Sequence, residues 1–600
     1  MASRQAKANP GAAQTLQRNF QGAIDRYGQG RFEEAGALCR KVMKSIPKDP
    51  GVLHLMGAIH LQTGRNRDAI TALGRAAGID RGNAEIHNNL ATAYRREGRA
   101  AEAVASAERA IAVNPSFAAA HSGLGLAHED LGDAARAARC YETAIAAAPD
   151  HIEARRHLAN VLLDLGRHDD GLSHCETLLA SFPTDADAHN TRGAMLVALD
   201  RRDEALDAFE TALGLDEQLA NAHVNLGNLL CDHNKPGRAV GHFERSLELD
   251  PDCPDTLANL GHALRQLGRI DDATAAYDRS IAVAPTGIEA NFGNAVAHLT
   301  EARFGAGWRY YLHRDSMAGT DPGVHRDLLP GDLADKTVLV EMDQGIGDEI
   351  FFLRFAAALR QRGAKILYAP DPRLAAMIER SGAVDAVLVQ GDDDAGHDYR
   401  LSVGDLPYVL GMSDGDVPPP SLRIPPLAER RAALADRLNT LGPAPHIGLT
   451  WRAGTRNRFR RLYKEAPTAG LIGAIRGVAG TIVALQRNPE PGELDEIESS
   501  LGRPLADLTA FNDDLEDMLA LTGLLDDYVC VSNTNLHLRA TQGAASRVLA
   551  PNPPEFRWMA RGAESPWFPG TTVYRQDVGG DWAGALDRLA DDLIGRNGAI

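Results

Sequence analysis

Two patterns of apolar and polar positions follow one another along this sequence. From about residue 13 to residue 315, small and apolar residues return at a fixed period of 34 residues. From about residue 336 onward, short apolar runs of strand length alternate with stretches of helical spacing. The first pattern predicts an array of helical repeats, and the second predicts an α/β region with parallel sheets.

Four positions carry the repeat over about nine units. Each unit starts at a Pro or a similar turn-forming position, counted from Pro47. Small residues stand ten positions later (Gly57, Ala91, Gly125, Ala159, Gly193, Gly227, Gly261, Ala295) and again 22 positions later, from Ala69 onward. Position 17 is Gly, Asp or Asn in all these units except the last, which has Ala302. Small residues let two helices approach closely, and position 17 suits a left-handed cap between them.

This period and this pattern resemble the tetratricopeptide repeat. The resemblance implies helix pairs stacked into a superhelix, whose long concave groove binds a polypeptide. Asn89, Asn225 and Asn259 stand two positions before the small residue at position 10, on the helix predicted to line that groove. An Asn side chain can grip a peptide backbone, and a similar ladder occurs in the O-GlcNAc transferases. The alternative is that these are solvated polar residues on an open face.

The second half of the chain is predicted to contain two lobes. The candidate strands are Lys336–Met342, Lys365–Pro370, Asp385–Gln390, His446–Trp451, Thr481–Leu485, Tyr528–Val531 and Arg547–Leu549. The candidate helices between them include Asp371–Arg380, Leu427–Leu441 and Leu515–Leu524. A proline-rich segment, Val417–Pro426, separates two groups of strands. We therefore predict a repeat domain at 13–315, a connector at 316–335 and two Rossmann-like lobes at 336–420 and 427–600, with ligands between the lobes.

The turn QGIGDE follows the first predicted strand. Gly345 and Gly347 allow the chain to turn sharply, and Asp348 and Glu349 fall in the first turn of the next helix. A carboxylate in that place is often only a partner of the helix dipole. The sequence is not GxGxxG, so a dinucleotide fingerprint is not supported.

Two later segments have the chemistry of an anion site. Thr450–Pro467 concentrates basic residues, among them Arg452 and Lys464, in an acidic protein, and a loop of that charge after a strand suits a phosphate or diphosphate; the alternative is a solvated basic loop. The others in this segment are Arg456, Arg458, Arg460 and Arg461. Val529–Gly543 places a run of small polar residues at the start of a helix, where backbone N–H groups bind anions. The candidate ligands of that segment are Ser532, Asn533, Thr534, Asn535 and His537.

Together these segments resemble the GT-B glycosyltransferases of the heptosyltransferase-like group. The resemblance implies that Asp348, after Gly347, is the general base and that Lys464 contacts the donor phosphates. The motif D-[ST]-x-x-x-H-L-A of that group matches here at His537 and Leu538, but Ser532 replaces the acid and Arg539 replaces the alanine. Because this loop handles the nucleotide end of the donor in that group, the two replacements leave the identity of the donor open.

The whole arrangement resembles the alphaproteobacterial flagellin glycosyltransferases. That resemblance implies that the repeats dock flagellin and that a nonulosonic acid such as pseudaminic acid is transferred from a CMP-sugar to Ser or Thr. The predicted function is thus a metal-independent protein O-glycosyltransferase that uses a nucleotide sugar as co-substrate, with no cofactor. Two alternatives remain: a glycosyltransferase acting on an envelope lipid or saccharide, and a non-catalytic repeat scaffold with a degenerate domain.

Composition narrows the possible partners and the compartment. The net charge is −18, from 63 basic and 81 acidic residues, which argues against nucleic acid as a partner. No run is apolar and long enough to cross a membrane, and the six cysteines lack a CxxC pair, so we expect free thiols in a cytoplasmic protein. No DxD-like motif lies in a matching position, so no catalytic Mg²⁺ is expected.

Overall fold

The computed structural model describes residues 10–314, 324–388, 396–453 and 464–599. The chain forms two compact units, Met1–Leu226 and Gly227–Ile600. The division falls inside the repeats, whereas the sequence placed the domain boundary at residue 315.

The first unit is built from consecutive helices that contact their neighbours along the chain. They are α1 (Pro10–Gly28), α2 (Phe32–Ser45), α3 (Pro50–Gln62), α4 (Asn66–Ile79), α5 (Ala84–Arg96), α6 (Ala100–Val113), α7 (Ala118–Asp130), α8 (Ala134–Ala147), α9 (Ile152–Asp164), α10 (His168–Ser181), α11 (Ala186–Ala198) and α12 (Arg202–Leu215), followed by the first turns of α13 (Ala220–Asp232). Polar caps start several of them: the Asp49 side chain accepts from the backbone N–H of Val52 at 3.0 Å, for example.

The predicted left-handed cap at position 17 is confirmed. All nine residues at that position, from Gly30 to Ala302, have a positive φ, between 54° and 74°. Three of them are not glycine: Asp200, Asn234 and Ala302. Asp and Asn tolerate this conformation better than other residues with a side chain, which explains why the sequence uses them there.

The small residue at position 10 makes room for a large side chain 16 residues later. A Cβ on Gly193 would lie 2.5 Å from the ring of Phe209. The same holds for Gly57 with Leu73, Gly125 with Tyr141, Gly227 with Phe243 and Gly261 with Tyr277, at 2.4 to 2.7 Å. Ala91 and Ala159 at position 10 are followed by the smaller Ala107 and Cys175, whereas Ala295 is followed by the large Tyr311. In the repeats with Gly at position 10, the large side chain of the second helix therefore fills the space that the first helix leaves.

The second unit begins with the last repeats and continues into the α/β region. Its helices are the rest of α13, then α14 (Pro236–Leu249), α15 (Pro254–Gln266), α16 (Ile270–Val283), α17 (Ile288–Thr300), α18 (Phe304–Tyr311), α19 (Ile346–Phe352), α20 (Ala356–Gln361), α21 (Ala375–Ser381), α22 (Leu406–Val409), α23 (Ala428–Leu441), α24 (Thr468–Ile475), α25 (Glu493–Leu501), α26 (Leu515–Thr522), α27 (Thr534–Thr541) and α28 (Ala583–Asn597). Its strands are β1 (Thr337–Glu341), β2 (Lys365–Ala369), β3 (Ala386–Val387), β4 (Tyr399–Ser402), β5 (His446–Thr450), β6 (Thr481–Ala484), β7 (Leu505–Asp507), β8 (Asp527–Cys530), β9 (Arg547–Ala550), β10 (Glu564–Ser565) and β11 (Phe568–Arg575).

The strands form two sheets. The first sheet has the order β3-β2-β1-β4, with parallel pairs. The second has the order β10-β11-β9-β8-β5-β6-β7, and among its described pairs only β10 with β11 is antiparallel. Read from β7 to β11, the parallel strands stand in the doubly wound order 3-2-1-4-5-6, which reverses between β5 and β8. Ligands of such sheets bind beyond the carboxyl ends at that reversal.

The predicted parallel α/β pattern is confirmed, with four strands missed. Each predicted strand overlaps an observed one, although β3 is only Ala386–Val387 and the predicted end at Gln390 lies outside the described residues. The missed strands are β4, β7, β10 and β11. Three of these contain only two to four residues, which is too short for a periodicity to be read from the sequence. Of the predicted connector, residues 324–335 contain neither helix nor strand.

The last repeat helix is part of the core of the α/β region. On α18, the ring of Trp308 lies 5.4 Å from Phe556 and 5.8 Å from Trp567. Just beyond it, the buried Arg314 forms ion pairs with Asp343 and Asp405. These contacts are the physical reason why the final repeats belong to the second unit.

Candidate functional site

A cavity of about 370 Å³ in the second unit is lined by segments that follow the strands of both sheets. Its lining comprises Gly345, Ile346, Gly347 and Asp348 after β1; Arg373 after β2; Thr450, Arg452, Ala453 and Lys464 at and after the end of β5; Arg487 after β6; Asn512, Asp513 and Leu515 after β7; Ser532, Asn533, Thr534, Asn535 and His537 after β8; and Arg557 after β9. Every predicted catalytic and donor-binding residue thus lies at one cavity.

The glycine turn brings the first sheet against helix α27 of the second. Gly345 precedes α19 in an extended conformation, and Gly347 lies in its first turn. A Cβ on Gly347 would lie 3.0 Å from Cδ2 of His537, closer than such atoms normally approach. Gly347 is therefore required by the close approach of α27, and it sets the next residue, Asp348, at the cavity wall.

Asp348 forms an ion pair with Arg557, which the sequence did not predict. The Arg557 guanidinium donates to Oδ1 of Asp348 and, at 3.1 Å, to Glu555. It is itself buried, with the rings of Phe351 and Phe556 at 4.5 and 4.7 Å from its central carbon. Among the described residues, none donates a hydrogen bond to Oδ2 of Asp348. The carboxylate is thus held by one oxygen at a cavity wall.

Lys464 and Ser532 meet at Glu555, a second residue that the sequence did not predict. Glu555 accepts from Nζ of Lys464 at 2.7 Å and from Oγ of Ser532 at 3.2 Å. Burial alone would raise the pKa of Glu555, but the charges of Lys464 and Arg557 outweigh it, and its pKa is lowered. A carboxylate therefore stands beside Ser532, the position at which the motif compared in the sequence analysis has its acid.

Glu555 and Arg557 could have been found from one sequence feature. They stand in the segment NPPEFRW, which follows the buried strand β9. Charged residues after such a strand reach the same sheet edge as the other candidates. Asn512 and Arg487 line the cavity for the same reason, after β7 and β6.

The side chains of the small polar segment are mostly engaged within the protein. Asn533 caps α27 by accepting from the backbone N–H of Leu536 at 2.9 Å. Asn535 is buried and donates to Oδ1 of Asn512 at 3.0 Å. The first backbone N–H groups of a helix lack partners within it, so the backbone, rather than these amides, is the donor that this segment offers to an anion.

His537 is buried and neutral. Its ring lies 5.5 Å from that of Phe568, and its Nδ1 has no hydrogen-bond partner within the part of the chain that the structure describes. Burial, together with the positive charges of Arg557, Arg354 and Lys464, lowers the pKa of His537 well below its ordinary value. The imidazole can contribute a hydrogen bond to a ligand, but no positive charge.

Arg452 lies at the cavity but is already paired. Its guanidinium binds the Glu493 carboxylate and donates to the backbone carbonyl of Asn488 at 2.8 Å. The indole of Trp451 donates to the same Glu493 oxygen at 2.7 Å. This buried pair orders the strand end, which leaves Lys464 as the better candidate for a phosphate contact. The predicted basic residues 456, 458, 460 and 461 lie outside the described residues.

The three asparagines of the repeats are half-buried polar residues, and two of them bridge neighbouring repeats. Asn89 contacts His54 Nε2 at 2.8 Å, and Asn225 donates to Oδ1 of Asn190 at 2.9 Å. Asn259, in the second unit, also has a polar or ring contact. They are not simply solvated side chains, since each is engaged within the protein.

Comparison with known proteins identifies the repeats. Tetratricopeptide repeat families match residues 26–93, 88–152, 123–186, 156–220, 191–254 and 224–288. The first half of the chain therefore carries tetratricopeptide repeats, which commonly bind protein partners.

Similar proteins include one curated relative and several solved structures. The chain is 25% identical over 333 residues to Protein FlbA of Caulobacter vibrioides, and the match covers 50% of this chain and 54% of that protein. The chain thus spans about half the length of this relative. A tetratricopeptide repeat protein from Parabacteroides merdae covers 42% of the chain and 99% of its own, at 18% identity and a TM-score of 0.35. A second, TTC0263 from Thermus thermophilus, covers 30% and 99%, at 25% identity and a TM-score of 0.27.

Two further findings concern membranes and metals. None of the helices in the described ranges is both long and apolar enough to cross a membrane. The same ranges contain no group of three or more His, Cys, Asp or Glu side chains arranged to hold a metal ion.

Proposed function

We propose that this chain is a GT-B glycosyltransferase that transfers a sugar from a nucleotide to a hydroxyl group of a protein. One observation carries the proposal: Asp348, Lys464 and the segment from Ser532 to His537, far apart in sequence, line one cavity at the carboxyl ends of two parallel sheets. A carboxylate on one wall can take the proton of the attacking hydroxyl, and cationic or N–H donors on the other can stabilise the negative charge of the leaving phosphate.

In the proposed reaction, the acceptor hydroxyl oxygen attacks the anomeric carbon of the sugar. Oδ2 of Asp348 takes the hydroxyl proton as the new bond forms. The bond between the anomeric carbon and the phosphate oxygen breaks, and the phosphate leaves with the electron pair. Lys464 and the first N–H groups of α27 stabilise the charge that grows on that oxygen.

Arg557 favours a sugar that carries its own carboxylate. Its guanidinium lies at the cavity wall and binds one oxygen of Asp348. Arg557 keeps both of its carboxylate partners, and its positive charge could also attract the carboxylate of a sugar acid beside the base. This supports a nonulosonic acid, such as pseudaminic acid, as the transferred group and a CMP-sugar as the donor.

The repeats would recruit the acceptor, which we propose to be flagellin. Asn89 and Asn225 present amides that already make hydrogen bonds between adjacent repeats, and a peptide backbone could exchange with these bonds. Replacing both with Ala should weaken acceptor binding, measured by calorimetry with the full chain. Asn66→Ala, on the second helix of a repeat, is the control and should bind as the wild type does.

Intact mass spectrometry tests the reaction. Flagellin incubated with the chain and CMP-pseudaminic acid should gain the mass of the sugar, and Asp348→Asn should abolish that gain. Asp436→Asn, on the exposed face of α23, is a matched control and should transfer normally. Undiminished transfer by Asp348→Asn would remove this residue from the base role.

The same assays separate the alternatives. Transfer to a lipid or saccharide but not to protein would favour an envelope glycosyltransferase. A chain that binds flagellin but no nucleotide sugar would be a scaffold.

A further inference from the structure

A continuous chain of charges crosses the wall of the cavity. It runs from Asp348 through Arg557 and Glu555 to Lys464, and each neighbouring pair is in contact. Glu555 is the centre of this chain because it contacts both cations and the Ser532 hydroxyl. Two carboxylates alternate with two cations, so this chain of four residues is electrically balanced.

The two cations are held to different degrees. Arg557 has 6% of its side chain exposed, binds two carboxylates and has two aromatic rings within 4.7 Å of its central carbon. Lys464 has 37% of its side chain exposed and an ion pair with Glu555. Lys464 can therefore change partners without unpacking the core, whereas Arg557 cannot.

An anion entering the cavity must compete with Glu555 for Lys464. A lysine ammonium is a compact charge on a flexible stem, so it can swing from a carboxylate to a phosphate oxygen. While it is bound to Glu555, its charge is largely neutralised for any ligand. Arg557 and Ser532 continue to bind the carboxylate when Lys464 leaves it.

We propose that Glu555 is a positioning residue that holds Lys464 until a ligand binds and then releases it to the phosphate of that ligand. This inference rests on the proposed function and adds how the site distinguishes one class of ligand from another. An uncharged ligand cannot displace Glu555, so it does not gain the lysine contact. Glu555 thereby favours strongly anionic ligands, such as a phosphate, at some cost in their affinity.

Calorimetry with inorganic pyrophosphate and with CMP tests the exchange in the full chain. Glu555→Gln keeps the shape of the side chain and its acceptor oxygen but removes the competing charge. We expect it to bind pyrophosphate about tenfold tighter than the wild type, which corresponds to about 1.4 kcal/mol. Glu564→Gln, at an exposed strand position, is the control and should leave the affinity unchanged.

A double-mutant cycle with Lys464→Ala separates positioning from a structural role. If Glu555 acts through Lys464, the gain from Glu555→Gln should disappear when Lys464 is Ala. A merely structural role predicts loss of affinity in both backgrounds. If Glu555→Gln does not fold, Glu555→Asp, whose shorter carboxylate loosens the hold on Lys464, should give a smaller gain.

Three results would overturn the inference. The folded Glu555 variants could bind pyrophosphate no more tightly than the wild type, or Glu555→Gln could give the same gain in affinity when Lys464 is Ala. The third result is that neither the wild type nor Glu555→Gln binds pyrophosphate. Failure of this inference can be told apart from failure of the proposed function. Wild-type protein that transfers sugar, with Glu555→Gln showing no gain, refutes only the positioning role. If the double-mutant cycle gives the expected result but the protein transfers no sugar from any nucleotide sugar, only the proposed glycosyltransferase activity is refuted.

Discussion

Replacing Glu349 with Gln should stabilise the second unit at high pH and not at low pH. Glu349 neighbours Asp348 on α19, but its side chain points into the protein and is 1% exposed. Its carboxyl accepts from the Tyr368 hydroxyl at 2.8 Å and from the backbone N–H of Asp371 at 3.1 Å. Burial raises the pKa of Glu349 from 4.5 to about 7, although these two hydrogen bonds oppose the rise.

The direction of this pH dependence follows from the number of protons bound in the folded and the unfolded state. Between pH 4.5 and about 7, the folded protein keeps the Glu349 proton while the unfolded chain loses it. The free energy of unfolding therefore falls as the pH rises through this range and is constant above it. At about 1.4 kcal/mol for each tenfold change, the raised pKa corresponds to about 3 kcal/mol. Glu349→Gln removes this penalty and keeps an acceptor oxygen for both donors.

Tryptophan fluorescence during urea unfolding measures this effect in the second unit alone. All five tryptophans of the sequence, at 308, 451, 558, 567 and 582, lie in that unit. The stability difference between the variant and the wild type should grow by about 3 kcal/mol from pH 4.5 to pH 8. Glu379→Gln, on the exposed side of α21, should show no such growth. A difference that is equal at both pH values would refute the buried-carboxyl argument.

Three further predictions concern the repeats and the cavity. Gly193→Ala should destabilise the first unit by about 1–2 kcal/mol, because overpacking outweighs the gain in helix propensity. Gly74→Ala, with open space around it, should stabilise the same unit slightly. Hydrogen exchange measures both changes in stability. Gly347→Ala should weaken pyrophosphate binding several-fold because its Cβ would press against the His537 ring, and Gly345→Ala, whose Cβ has only an ordinary contact, should not. The ring proton shifts of His537, followed by nuclear magnetic resonance, should stay constant between pH 6 and 8, because burial and neighbouring cations lower its pKa; a transition near its ordinary pKa would contradict a buried neutral ring.

Several features of this protein could be predicted from local sequence alone. The left-handed caps depend on one residue in each repeat, and the pairing of small with large side chains depends on two residues 16 positions apart. The buried strands could be predicted because their apolar runs are continuous, and the short strands β7 and β10 could not because they lack such a run. Candidate ligands could be chosen because parallel strands deliver them to one sheet edge.

Other features depend on contacts between distant segments. The sequence does not show that Arg557 binds Asp348, since the two are 209 residues apart and meet only when both sheets have formed. Nor does it show that Arg452 is paired with Glu493, that His537 is neutral, or that α18 completes the α/β core. Repeat periodicity and strand ends are properties of short stretches of chain. Ionisation state and pairing depend on which charges and apolar groups surround a side chain, and only the tertiary structure determines those surroundings.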